Sequence, residues 1–152
     1  MSDFEIKVEI PEGLLHASEI LDNKLKNAVT NATLAMEREV KTQAPYGVTG
    51  HLKQAITSNV EPLTSEIRGI IGVPRKPGIF VEEGTRPHTP PRAPVFRWAE
   101  KKGLNKWAVW TNIRKKGTKA NPFIKRSFLI QEQPARRRIE QAVADAVKEM
   151  GR

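Results

Sequence analysis

A chain of 152 residues with 38% hydrophobic side chains has room for one domain and one core, and its modest apolar share suits a core that neighbouring subunits help to complete. It holds no cysteine, which excludes disulfides, thiolate metal sites and cysteine nucleophiles. The formal net charge of +9 is unevenly distributed: residues 1–66 carry 10 Asp or Glu against 6 Lys or Arg, whereas residues 86–126 carry 12 Lys or Arg against Glu100 alone. Such a focused basic segment suits a polyanion, an acidic protein surface, or simply solvent.

The acidic start Met1-Ser2-Asp3-Phe4-Glu5 precedes no long apolar run, so neither a signal peptide nor a membrane span is expected. Phe4, Ile6, Val8 and Ile10 alternate with charged residues, the period of a half-buried edge strand ending at Pro11-Glu12-Gly13. From about residue 17 to 43, Leu21, Leu25, Ala28, Val29, Ala32, Met36 and Val40 recur at steps of three and four, which predicts a long amphipathic helix stopped by Pro45. A turn at Pro45-Tyr46-Gly47 leads to a short helical turn or strand entry at 49–56. Two strand-like runs, 56–63 and 66–73, then form a hairpin, with Pro62 placing the first near an edge or bulge.

Residues 78–83 form a short apolar run read as strand, and Pro87, Pro90, Pro91 and Pro94 punctuate an extended loop with no helical option before Pro94. Residues 95–102 and 105–116 read as helices stopped by Gly103 and Gly117, their C-termini complemented by Lys101, Lys102, Lys115 and Lys116. Trp98, Trp107 and Trp110 lie in this stretch, and core or interface packing is favoured for them over base stacking. Asn121-Pro122 opens a further helical piece and Pro134 a last one, striped by Ile139, Val143, Ala146, Val147 and Met150. No internal repeat stands out.

Raw material for catalysis is sparse. The three histidines, His16, His51 and His88, read as solvent-facing or locally hydrogen-bonded, and no metal-ligand spacing occurs, so no metal or cofactor is expected. Glu82-Glu83 is the one adjacent carboxylate pair in an apolar setting. A nuclease would aim two carboxylates at one magnesium ion, but neighbours on a strand point to opposite faces. Gly117-Thr118-Lys119 lacks the upstream glycine of a phosphate-binding loop.

Three segments, Thr49-Gly50-His51-Leu52, Phe80-Val81-Glu82-Glu83-Gly84-Thr85-Arg86-Pro87-His88 and Gly117-Thr118-Lys119-Ala120-Asn121-Pro122-Phe123, occur in the order seen in a family of virion proteins. Together they resemble the minor structural proteins of long-tailed phages and prophages that act in tail completion and head-tail joining. Glu83 departs from that pattern, which often has an aromatic or apolar residue there.

The resemblance implies a single small α+β domain, with a long N-terminal helix and C-terminal helices packed on a small antiparallel sheet. It implies a non-enzymatic subunit, monomeric before assembly, that forms a ring in the virion neck. Its partners would be copies of itself and other neck and tail proteins, and it would be made in the bacterial host cytoplasm. Motif or interface candidates are Thr49, Gly50, Leu52, Val81, Glu82, Gly84, Thr85, Pro122 and Phe123. Gly84 is expected to supply a positive φ or a close backbone approach, and Phe123 to enter the core at a helix start.

Residues 86–117 look like an insertion into the family pattern, basic and aromatic, suited to line a lumen through which DNA passes or to grip an acidic neighbour. Arg92, Arg97, Lys101, Lys102, Lys106, Arg114, Lys115 and Lys116 are the candidates for that contact. Two other functions stay open: a free-standing nucleic-acid-binding module, which leaves the acidic first half unexplained, and a small metal-dependent nuclease centred on Glu82.

Overall fold

The computed structural model describes residues 2–9, 19–63 and 66–150. Its longest early element is helix α1 (Glu19–Gln43), and every apolar residue of the stripe read from the sequence is buried in it, together with Thr33. That stripe lies on a three-stranded antiparallel sheet. The sheet comprises β1 (Ser2–Glu9), β2 (Thr57–Pro62) and β3 (Glu66–Val73) in the order β1-β3-β2. Both β1 and β2 are therefore edges, as the charged alternation of the first and Pro62 of the second predict. Central β3 buries Ile67, Gly69, Ile71 and Val73. Gly69 is where helix and sheet come closest: a Cβ built there would sit 2.1 Å from Thr33 Oγ1. Positions 10–18, including Ile10 and the expected start of the helix at residue 17, and the hairpin residues 64 and 65 lie outside the described residues.

After the turn that follows Pro45 comes one turn of helix, α2 (His51–Gln54), which drives Leu52 into the core. Helix α3 (Arg75–Glu83) is broken at Lys76 by extended φ and ψ of −115° and 116°. This corrects the strand reading of residues 78–83. A six-residue apolar run does not separate strand from helix by period, and here Gly84 ends a helix whose Val81 faces the core. Helix α4 (Arg92–Lys101) begins before Pro94, a second correction. Pro94 falls in the first turn, where the missing N–H would have had no partner inside the helix. Helix α5 (Lys106–Lys116) follows the sequence reading, and Gly103 and Gly117 take the positive φ expected after a helix.

The third correction concerns the C-terminus. In place of two helical pieces there is one continuous helix, α6 (Phe123–Met150), that runs through Pro134. Pro134 and the preceding turn at Ile130 are exposed, so water can satisfy the carbonyl that proline leaves without a donor. Helix α6 lies antiparallel along α1, with Lys24 pairing with Glu149 at one end at 2.6 Å and Phe123 buried beside Val40 at the other. The core has two lobes. Met36, Val40, Leu52, Ile56, Ile71, Val73, Phe123 and Ile124 form one, and Leu21, Leu25, Val29, Ile67 and Ala146 the other. The α+β architecture expected for the chain is thus present, with α1 between sheet and C-terminal helix in the packing order.

Candidate functional site

Two of the three segments that carried the resemblance, 80–88 and 117–123, meet at one place. Glu82, on the last turn of α3, accepts hydrogen bonds from the backbone N–H groups of Ile124 at 2.8 Å and Lys125 at 3.0 Å. Its carboxylate therefore caps the N-terminus of α6 from 42 residues upstream, where the helix dipole favours negative charge. The sequence assigns that cap to Asn121, but the Asn121 side-chain oxygen instead accepts from the Arg126 guanidinium at 2.7 Å. The Val81 carbonyl accepts from the Asn121 N–H at 2.8 Å, a second tie between the same segments. Pro122 stays exposed, and Phe123 is wholly buried, as expected of an aromatic ring docking at a helix start.

Next to this cap the chain is clasped. Thr85 and Thr118 exchange backbone hydrogen bonds of 3.1 and 3.2 Å, and their hydroxyls lie 3.0 Å apart. Each threonine follows a glycine: Gly84 has φ 76° and ψ −174°, Gly117 φ 77° and ψ −162°. Both glycines are also points of closest approach. A Cβ on Gly84 would lie 2.4 Å from the Thr118 carbonyl oxygen, and one on Gly117 only 1.8 Å from that of Thr85. Both expectations for Gly84, positive φ and close backbone approach, hold, and Glu83 beside it is exposed, which agrees with its polar character.

Residues 86–117 leave and re-enter the domain through this clasp, as a helical arm made of α4 and α5. Trp110 is its buried centre, its indole N–H donating to the Pro90 carbonyl at 2.9 Å and so folding the proline loop back onto α5. Phe96, Trp107 and Trp110 meet edge to face, with centroids 4.8 and 6.4 Å apart. Asn105 caps α5 by accepting from the Trp107 and Ala108 N–H groups. The motif residues Thr49 and Gly50 sit by the arm: exposed Thr49 shares a shallow cleft of about 240 Å³ with Val48, Ala93, Pro94 and Arg97. Gly50, at φ 73°, packs under the Tyr46 ring.

The eight basic candidates divide into two sets. Arg92 stands over both the Trp107 and Trp110 rings, at 5.6 and 5.3 Å, and Arg114 over Trp110 at 5.5 Å. Lys106 pairs with Glu100 at 2.7 Å, and Lys101 donates to the Val48 carbonyl at 2.6 Å above the Tyr46 ring. Arg92, Arg114 and Lys106 thus help to hold the arm together, and Lys101 ties it to the turn after α1. Arg97, Lys102, Lys115 and Lys116 are exposed. Trp107 is 52% exposed, whereas Trp98 is only partly so.

Among the described residues no group of three or more His, Asp or Glu side chains stands close enough to hold a metal ion. His51 is exposed and His88 Nδ1 bonds to the Arg86 carbonyl at 2.9 Å, while His16 lies outside the described residues. No described helix is long and apolar enough to cross a membrane. Sequence reasoning missed the capping role of Glu82 and the Thr85–Thr118 clasp, for which the repeated Gly-Thr pair at 84–85 and 117–118 was the available signal. Comparison of the chain with protein-family models, with curated proteins and with solved structures found no match.

Proposed function

We propose that this chain is a structural subunit of a tailed-phage neck, joining copies of itself into a ring at the head-tail interface and touching other neck and tail proteins there. The observation that supports this reading most is the meeting of two of the three motif segments, 80–88 and 117–123, in one cap and clasp. Val81, Glu82, Gly84, Thr85 and Phe123 all act there as fasteners between α3, α6 and the arm. The subunit also leaves apolar surface open, as a ring component would. A cleft of about 570 Å³ runs between β1 and α6 over Met36, Phe128, Leu129, Ala135 and Ile139, with Leu129 66% exposed.

The test is genetic and visual. Removing the coding sequence from its phage is expected to yield filled heads and finished tails that fail to join, seen by electron microscopy and restored by supplying the protein. Joined, infectious particles without it would refute the proposal. The nuclease alternative faces a specific obstacle, because a magnesium ion at Glu82 would have to displace the two α6 amides from its carboxylate. Magnesium-dependent DNA cleavage by the purified chain, lost in Glu82→Gln, would establish that alternative instead.

A further inference from the structure

We infer that the α4–α5 arm is a sequence-independent binding surface for the phosphate backbone of double-stranded DNA. The inference names a partner for the arm within the neck reading, and rests on that reading for its setting. Three features carry it. The arm's only carboxylate, Glu100, is paired with Lys106, so Arg97, Lys102, Lys115 and Lys116 stand exposed with no opposing charge on the arm left unpaired. Along α5, Trp107, Thr111, Asn112 and Lys115 line one shallow groove with Asn105 and Ala108. That face offers cationic and neutral donors and no carboxylate, a composition that serves phosphate oxygens without reading bases. From Lys106 to Lys116 the helix spans about 15 Å, long enough to meet several phosphates of one duplex.

An acidic patch on a second copy is the weaker complement, because several of the described carboxylates are engaged within the chain. Glu66 bonds to Lys7 and Arg68, Glu37 to Lys41 and Ser58, Glu149 to Lys24, and Glu82 to the α6 amides.

All three tryptophans of the chain lie in the arm, so tryptophan fluorescence reports on the arm alone. The full chain is titrated with a short mixed-sequence DNA duplex and with poly-L-glutamate of matched charge, over a series of salt concentrations. The duplex is expected to change the tryptophan emission, to bind more tightly than poly-L-glutamate, and to lose affinity linearly in log salt. The variant Arg97→Gln/Lys102→Gln/Lys115→Gln/Lys116→Gln is expected to lose tenfold or more in affinity, with a log–log salt slope shallower by about 3 to 4. A second variant, Lys26→Gln/Arg137→Gln/Arg138→Gln/Lys148→Gln, removes the same charge from exposed positions on α1 and α6 and is expected to bind as the parent does.

No duplex binding at low salt, equal loss in both variants, or tighter binding of poly-L-glutamate would overturn the inference, the last in favour of an acidic protein. Failure here is separable from failure of the neck reading. A protein that binds no DNA yet still restores head-tail joining sinks only the inference, and one that binds DNA while its removal leaves joining intact sinks only the neck reading.

Discussion

Gly117 is the residue at which the fold tolerates least. A Cβ there would meet the Thr85 carbonyl oxygen at 1.8 Å, with carbons of residues 85 and 86 both at 2.8 Å, at a φ that L side chains seldom adopt. Nothing flexible can yield, because every opposing atom is backbone. Gly117→Ala is therefore expected to destabilise by about 2 kcal/mol or more and to open the clasp. Hydrogen exchange checks this by loss of protection at the Thr85 and Thr118 amides ahead of the core.

Glu82 acts more mildly. Glu82→Ala leaves two helix N–H groups without their acceptor and should cost about 1 kcal/mol, as lost N-caps do. Glu82→Gln keeps one oxygen in place and should cost less, a graded order that equilibrium denaturation of the two variants would reveal.

A third residue ties stability to pH. The Lys7 ammonium, and after it the Arg68 guanidinium, hold the Glu66 carboxyl below its usual value of 4.5, against a smaller opposing effect of burial. A lowered folded-state pKa means that the stability Glu66 contributes is complete above about 4.5 and disappears as pH falls through the lower value kept in the fold. Glu66→Gln is thus expected to melt below the parent at neutral pH, with the gap closing in acid. A gap independent of pH would show that the cross-strand ion pair joining β1 to β3 contributes nothing.

At the scale of elements, the arm is expected to be separable from the core that carries it. Its two ends are bonded to each other at Thr85 and Thr118, and the arm has its own aromatic centre at Trp110. Replacing residues 86–117 with a short glycine turn is expected to leave a core that still unfolds cooperatively, with α1, α6 and the sheet intact by circular dichroism. A chain that no longer folds would show that the lean of Lys101 on the Val48 carbonyl and the Tyr46 ring is required for the core.

Which elements were legible in the sequence follows from how local their causes are. Helix α1 declares itself through an apolar stripe at steps of three and four stopped by Pro45, and the β2–β3 hairpin through two short strand-like runs parted at residues 64 and 65. Helix α3 does not, because six residues cannot fix a period. The continuity of α6 does not either, because whether Pro134 breaks a helix depends on solvent reaching the carbonyl behind it. The motif residues could be picked out in order, yet their contacts could not. Glu82 meets Ile124 across 42 positions and Thr85 meets Thr118 across 33, distances over which neither propensity nor spacing carries information.

For the molecule as a whole, the proposed neck function requires that some surface serve assembly without serving the fold, and α6 presents such a surface. On its N-terminal half Phe123, Ile124 and Ser127 point inward, while Leu129 stays open on the cleft that α6 makes with β1. A leucine that is two-thirds exposed contributes little to the subunit that bears it, since burial is what makes an apolar side chain stabilising. Leu129→Asp is accordingly expected to change the unfolding free energy by no more than about 0.5 kcal/mol. A buried carboxylate at a subunit contact is far more costly than an exposed one, so the same variant should fail to restore head-tail joining to phage lacking the protein. Were Leu129→Asp to fold normally and also to restore joining, the β1–α6 cleft would not be part of the assembling surface, and the contacts of the ring would have to be sought on the arm.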